Sequence, residues 1–133
     1  LPDVSGSMGS SVTGYRPGAT SAVRCIDVAG LVASTILRKN PTAEVLPFEN
    51  DVVDLSLNPR DSVMTNAQKL AAIGGGGTAC AAPLEKLNRE QAKADLVVLV
   101  SDKGNHDDRV VLVALPATAA VAPARAQTME LRA

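Results

Sequence analysis

Apolar residues recur along this chain with two different periods, one typical of helices and the other of strands. The helical spacing and its flanking turn residues predict three helices, at residues 19–39, 62–73 and 80–91. Short alternating or continuous apolar runs predict four strands, at residues 44–48, 52–57, 94–100 and 110–115. Strands that alternate with helices are typical of α/β proteins. We therefore predict a doubly wound, mostly parallel sheet with helices on both faces.

Two places along the chain have too little sequence for a complete sheet of this kind. Only Leu1 and Pro2 precede Asp3, whereas the mean strand has about 5–6 residues. The chain between Val100 and Val110 is shorter than the dozen or more residues that a parallel crossover needs. We expect that the chain is a fragment of a longer protein. At the second place, either residues are missing near 103–108 or the last strand runs antiparallel.

The amino-acid composition predicts which residue types form the core and disfavours some classes of partner. Of the 133 residues, 46% are apolar but only 2% are aromatic, so the core of this single domain is predicted to consist of Val, Leu, Ile and Ala. The net charge of −1 comes from charges mixed along the chain, which disfavours nucleic acid binding by this segment. No apolar run reaches the ~18 residues of a membrane span, and Cys25 and Cys80 lack the C-x-x-C pattern of a zinc site. We predict a cytoplasmic protein without membrane contact, whose cysteines act as small buried apolar residues.

Near the beginning of the chain, an aspartate and two serines occupy alternate positions. In an extended backbone, Asp3, Ser5 and Ser7 point the same way, because side chains alternate between faces. One carboxylate and two hydroxyls are hard oxygen ligands of the kind that suits Mg²⁺, which takes few carboxylates and keeps several waters. The alternative is a Ser/Gly loop with an incidental aspartate. The motif alone therefore suggests a metal site without establishing one.

Two further polar residues are expected at the same edge of the sheet. Thr78 closes a run of four glycines at the beginning of a predicted helix, and Asp102 follows the most apolar strand. In doubly wound sheets, ligands bind just beyond the carboxyl ends of the strands. Thr78 could instead be only a helix N-cap. If the folded chain places both residues beside the serine motif, the interpretation as a metal site is favoured.

Other candidate chemistries have weaker signals. The glycine run lacks the lysine of a Walker phosphate loop. His106 lies in a polar stretch and is predicted to be a solvated loop residue, since no G-x-S-x-G elbow accompanies it. Asp107, Asp108 and Arg109 are interpreted as an exposed turn. We therefore predict no catalytic residue.

Taken together, the aspartate–serine motif, the threonine after a glycine loop and the aspartate after a buried strand resemble a von Willebrand factor A-type domain. The five residues match the positions of that family's metal-ion-dependent adhesion site. The stretches 58–80 and 94–102 resemble, more specifically, the A-type domain at the C-terminal end of bacterial Ro (TROVE) ribonucleoproteins, which bind small structured RNAs. The resemblance is strongest over residues 1–102, and we interpret 1–133 as one such domain in fragment form.

The resemblance implies a binding module rather than an enzyme. Ser5, Ser7 and Thr78 would contact one Mg²⁺ or Mn²⁺ ion through hydroxyls, with Asp3 and Asp102 contacting it directly or through water. A carboxylate of a protein partner would complete the coordination of the ion. In Ro proteins, helical repeats outside the A-type domain hold the small non-coding RNA, and this chain contains no match to those repeats.

The chain departs from the family pattern after Asp102, and other functions remain open. Lys103 follows this candidate ligand, where the family carries an acidic and aromatic stretch, and a neighbouring cation could weaken a metal site. One alternative is a Mg²⁺-dependent phosphoryl-transfer or hydrolytic enzyme that uses Asp3. Another is a structural domain with a vacant metal site.

Overall fold

Three helices and three strands form the regular structure of the described residues, which are 1–13, 21–102, 111–116 and 127–130 of this computed structural model. In chain order, the elements are a 3₁₀ turn at Gly6–Gly9, α1 (Cys25–Lys39), α2 (Val63–Ala71), α3 (Ala81–Arg89), β1 (Leu96–Ser101), β2 (Val111–Pro116) and β3 (Gln127–Glu130). The three predicted helices and the predicted strands at 94–100 and 110–115 are confirmed, with shifted ends. None of the helices in these ranges is long and apolar enough to cross a membrane.

α1 begins later than the apolar spacing predicts, because the residues just before it are extended. Arg24 forms an antiparallel bridge with Ser11, and Cys25 N–H donates a hydrogen bond to the Ser10 carbonyl at 2.9 Å. The backbone N–H of Arg24, the N-cap residue, donates to the Asp27 carboxylate at 2.9 Å. A carboxylate at this position satisfies a donor at the helix start and favours initiation there.

The three strands form one sheet in the order β1-β2-β3, and both neighbouring pairs run antiparallel. Ser101 pairs with Val111, so the chain between them is too short for a parallel crossover. These strands depart from the predicted mostly parallel sheet and follow the antiparallel alternative. Within the described residues, parallel pairing is limited to isolated bridges, which join Pro2 to Val100 and Asp3 to Phe48.

The prediction of regular strands at 44–48 and 52–57 is wrong. In this region, bridge pairing is limited to Phe48, which bridges Asp3 on one side and Val52 on the other. Pro47 has no backbone N–H and cannot extend a ladder in both directions. Alternating apolar residues therefore produce extended chain here, without the hydrogen bonds of a strand.

The core lies between the 3₁₀ turn, α1 and β1 and is mainly aliphatic, as the composition predicts. Phe48, fully buried nearby, adds one aromatic ring. Of the two cysteines, Cys25 is buried as predicted, whereas Cys80 is half-buried. The core cluster comprises Val4, Met8, Cys25, Ile26, Ala29 and Val100. Burial of Met8 and Val4 anchors the two ends of the aspartate–serine motif.

α2 packs closely against α1 at a glycine. A Cβ atom added at Gly30 would lie 3.0 Å from the Ala67 carbonyl oxygen and 3.5 Å from the Leu70 Cβ. Gly30 therefore permits a close approach of the two helices. Leu70 is fully buried at this contact, so the α1–α2 pair is closely packed.

Candidate metal centre

The extended segment 1–4 carries the first candidate ligand and is held between two other segments. On one side, Asp3 N–H donates to the Val100 carbonyl at 2.8 Å. On the other side, Val4 N–H donates to the Phe48 carbonyl at 2.9 Å. Hydrogen bonds on both sides hold this short segment in place. They fix Asp3 at the edge where β1 ends.

The Asp3 carboxylate is fully buried and hydrogen-bonded through both oxygens. Oδ1 accepts the backbone N–H of Ser5 at 2.9 Å, and Oδ2 accepts the Ser101 hydroxyl at 2.5 Å. No lysine or arginine of the described ranges forms an ion pair with Asp3. Burial of a carboxylate is unfavourable unless hydrogen bonds and an opposite charge compensate for it. Two hydrogen bonds provide part of that compensation, and a bound cation would provide the rest.

A continuous series of hydroxyl and carboxylate contacts joins the other four candidate ligands. The Thr78 hydroxyl donates to Ser5 Oγ at 2.8 Å, and Ser5 Oγ lies 3.3 Å from Ser7 Oγ. Ser7 Oγ donates to Asp102 Oδ1 at 3.1 Å. Thr78 and Ser5 are 73 positions apart in sequence, and Ser7 and Asp102 are 95 positions apart. The structure thus brings all five predicted site residues together at one edge, while their role as metal ligands stays a prediction.

The glycine loop positions Thr78 through backbone contacts to two neighbouring segments. Gly6 N–H donates to the Gly76 carbonyl at 3.1 Å, and Gly77 N–H donates to Asn50 Oδ1 at 3.0 Å. Gly76 has a φ of +70°, and a Cβ there would lie 2.6 Å from Glu49 Oε2. The positive φ favours glycine at this position, and any larger residue would also have to displace the Glu49 side chain.

The alternative role of Thr78 as a helix N-cap is wrong. The N-cap of α3 is Cys80, and the Thr78 hydroxyl donates to Ser5 instead of accepting from the helix. The side chain thus faces the other candidate ligands across the glycine loop.

Oxygen atoms make up the whole set of candidate donors. Two carboxylates and three hydroxyls are hard ligands, and a small number of carboxylates suits Mg²⁺. In the part of the chain that the structure describes, no three Asp, Glu, His or Cys side chains cluster as a metal site. The all-oxygen donor set by itself fits Mg²⁺ or Mn²⁺ better than zinc, because zinc favours nitrogen and sulfur ligands.

Sequence reasoning missed Ser101 and Asn50 as supporting residues. Ser101 donates to the Asp3 carboxylate, and Asn50 accepts from the glycine loop. The position of Ser101 at the end of an apolar strand, directly before Asp102, was a usable signal. For Asn50 no local signal exists, because its partner Gly77 lies 27 residues away. The residues 103–110, which include Lys103, His106 and the predicted turn at 107–109, lie outside the described residues.

The chain as a whole matches a known protein family. The Ro60 vWA domain family matches residues 2–116. The chain belongs to this family. The resemblance to the A-type domain of bacterial Ro proteins is therefore confirmed, and with it the α/β fold class.

One curated relative extends this assignment. The RNA-binding protein RO60 of Deinococcus radiodurans is 31% identical to this Ro60 vWA domain over 100 residues. Those residues are 75% of this chain but 18% of the relative, so the chain spans less than a fifth of that protein's length. No solved structure matches the chain significantly.

Proposed function

We propose that this vWA domain is a metal-ion-dependent binding module that holds one Mg²⁺ or Mn²⁺ ion and a protein partner. Asp3, Ser5, Ser7, Thr78 and Asp102 would provide the protein ligands. The main support is the burial of the Asp3 carboxylate without an ion pair among the described residues, beside a joined set of hydroxyls. A divalent cation at this edge would compensate the buried charge.

The surrounding residues orient the candidate ligands toward a cation at this edge. Ser101 and the Ser5 N–H each occupy one lone pair of Asp3 and so hold the orientation of its carboxylate. The hydroxyls of Ser5 and Thr78 can rotate their hydrogens away and present lone pairs. When bound, the ion would supply a positive centre that a partner's carboxylate can coordinate. Because the two aspartates balance the charge of a divalent ion, the site would carry little net negative charge to repel that carboxylate.

The relative from Deinococcus radiodurans supports a proposal about the whole parent protein. We propose that the parent protein is a Ro-like ribonucleoprotein of the cytoplasm that binds small non-coding RNA, since the relative is described as RNA-binding. RNA contact by this domain would be weak, because the net charge is −1 and aromatics are 2% of the residues. Segment 1–4, Phe48 and β1 would form the parallel centre of a doubly wound sheet, and the domain would bind rather than catalyse.

Thermal melting in the presence of metal tests the proposed site. The melting temperature of the chain should rise with the logarithm of free Mg²⁺ or Mn²⁺ above the dissociation constant, because only the folded state brings the ligands together. Asp102→Asn should abolish most of this increase, since it removes one of two carboxylates. Asp102 is the better choice for substitution because Asp3 is fully buried and its loss would leave two donors without acceptors.

The matched control is Asp95→Asn. Asp95 is an exposed aspartate just before β1, whereas Asp102 directly follows the other end of that strand. This control should keep the full metal-dependent increase. The proposal is refuted if neither metal changes the melting temperature of the unsubstituted chain. It is also refuted if the two variants respond to metal identically.

A further inference from the structure

A groove of about 670 Å³ lies between two extended segments of the chain. Residues 43–46 form one wall and residues 51–57 form the other. Leu37 of α1 and Lys86 of α3 complete the lining. None of the five candidate metal ligands lines this groove.

The two walls begin as a paired hairpin and then separate. Val53 N–H donates to the Pro47 carbonyl at 2.7 Å beside the Phe48–Val52 bridge. Beyond this point, residues 44–46 and 54–57 form no backbone hydrogen bond with any described residue. Free N–H and C=O groups along an extended chain are able to pair with an added strand.

The side chains of the second wall alternate as those of a half-buried strand do. Val53, Leu55 and Leu57 are half-buried, whereas Asp54 and Ser56 are exposed. Such a surface offers backbone groups along its length and apolar contacts at every second residue. An extended peptide meets both requirements, whereas a helix satisfies its own backbone groups.

The charge of the groove is predominantly negative. Its lining contains three carboxylates, those of Glu44, Asp51 and Asp54, against the single cation of Lys86. Lys86 is ion-paired with Glu90 outside the groove. The lining therefore has an excess of negative charge that a basic partner would complement.

We propose that this groove binds an extended, lysine- or arginine-bearing peptide segment of a protein partner, which pairs with the backbone of residues 54–57. Backbone hydrogen bonds would provide affinity, and the carboxylates would select a basic sequence. Because the metal ligands lie elsewhere, binding should not require Mg²⁺.

The test uses three synthetic ten-residue peptides with blocked ends and a fluorescent label. The first alternates valine and lysine, the second replaces lysine by glutamate, and the third repeats the first with alternate backbone nitrogens methylated. Fluorescence anisotropy with the full chain in EDTA should show saturable binding of the first peptide. The other two should bind at least tenfold more weakly, because one carries the wrong charge and the other lacks the strand donors. Amide hydrogen exchange at residues 54–57 should slow when the first peptide is added.

Charge-reversal variants of the chain locate the contact. Asp54→Lys should weaken binding of the basic peptide about fivefold or more at low salt, since it replaces an attraction by a repulsion. Asp95→Lys, which reverses an exposed charge outside the groove, should change the affinity less than twofold.

Several results would overturn the proposal. These are no binding of the basic peptide up to millimolar concentration, equal binding of the glutamate or methylated peptide, and equal effects of the two variants. Protection of residues 54–57 that grows with chain concentration in the absence of peptide would assign the groove to a second copy of the chain instead.

Discussion

The edge that carries the five candidate ligands and the α1–α2 helix pair are stabilised by different kinds of contact. At the edge, polar side chains from distant parts of the sequence meet, as in the Ser101–Asp3 hydrogen bond across 98 residues. In the helix pair, Leu70 and Ala67 pack against the face of α1 that contains Gly30. Apolar burial stabilises the pair without any ligand, whereas the edge concentrates a buried negative charge. Substitutions in the two regions should therefore separate stability from metal dependence.

The largest effect is expected in the helix pair, from Leu70→Ala. Leu70 is fully buried, so its truncation removes apolar contacts and leaves a cavity that costs about 2–5 kcal/mol of unfolding free energy. The increase in stability on adding Mg²⁺ should be unchanged, because Leu70 is not among the candidate ligands. Denaturant unfolding with and without Mg²⁺ measures both quantities.

The control for this substitution is Met64→Ala on the same helix. Met64 is 61% exposed, and its truncation should change the unfolding free energy by less than about 0.5 kcal/mol. Equal losses in the two variants would contradict the packing of α2 against α1. A Leu70→Ala variant that lost its response to Mg²⁺ would show that the two regions are coupled.

An intermediate effect is expected at the edge, from Ser101→Ala. The Ser101 hydroxyl donates to a buried carboxylate, and its loss should cost about 1–3 kcal/mol of unfolding free energy in EDTA. Because Asp3 would also lose part of its orientation, the dissociation constant for Mg²⁺ should rise. Denaturant unfolding in EDTA and isothermal titration with Mg²⁺ provide the two readouts.

Ser56→Ala is the matched control, since Ser56 is exposed and its hydroxyl makes no hydrogen bond to a described residue. It should change neither the unfolding free energy nor the dissociation constant. If Ser101→Ala lowered stability while Mg²⁺ affinity stayed the same, Ser101 would support the fold and have no part in positioning Asp3.

The two regions also differ in how far their structure could be predicted from sequence. The helices follow from local periodicity, because the residues that share a face are neighbours in the chain, and β1 follows from a continuous apolar run. The segments 44–48 and 52–57 also have strand-like apolar patterns, yet their pairing is limited to isolated bridges of Phe48, since Pro47 has no N–H to extend a ladder. Local pattern therefore predicts which residues are buried better than it predicts which strands pair.

At the candidate site, the motif spacing suggested Asp3, Ser5 and Ser7, and their convergence with Thr78 and Asp102 was an expectation from the sheet edge and the family resemblance. The roles of Ser101 and Asn50 depend on contacts between segments far apart in sequence. Such contacts leave no periodic signal. Ser101 has a sequence signal only in its position directly before Asp102, and Asn50 is identified only by the folded chain. The metal itself stays a prediction from the chemistry of the donors.

The smallest effect is expected at the exposed beginning of α1. Arg24 and Asp27 form an exposed ion pair at 2.9 Å, and the side-chain hydrogen bond from Arg24 lowers the pKa of Asp27 below its ordinary value of 3.8. A carboxyl group whose pKa is lower in the folded state stabilises the fold above its unfolded pKa, and this contribution disappears as the pH falls through the folded pKa. Because the pair is exposed, its contribution should be only a few tenths of a kcal/mol at neutral pH.

The corresponding variant is Asp27→Asn, with Asp95→Asn as the control for loss of an exposed carboxylate. Unfolding free energies in EDTA, measured from pH 7 down to pH 3, should show Asp27→Asn less stable than the control at pH 7. The difference should narrow below about pH 4, where protonation removes the same charge from the unsubstituted chain. A difference that stayed constant over this range would mean that the amide differs from the carboxylate by packing or backbone hydrogen bonding at the helix start. The charge of Asp27 would then not be the source of the difference in stability.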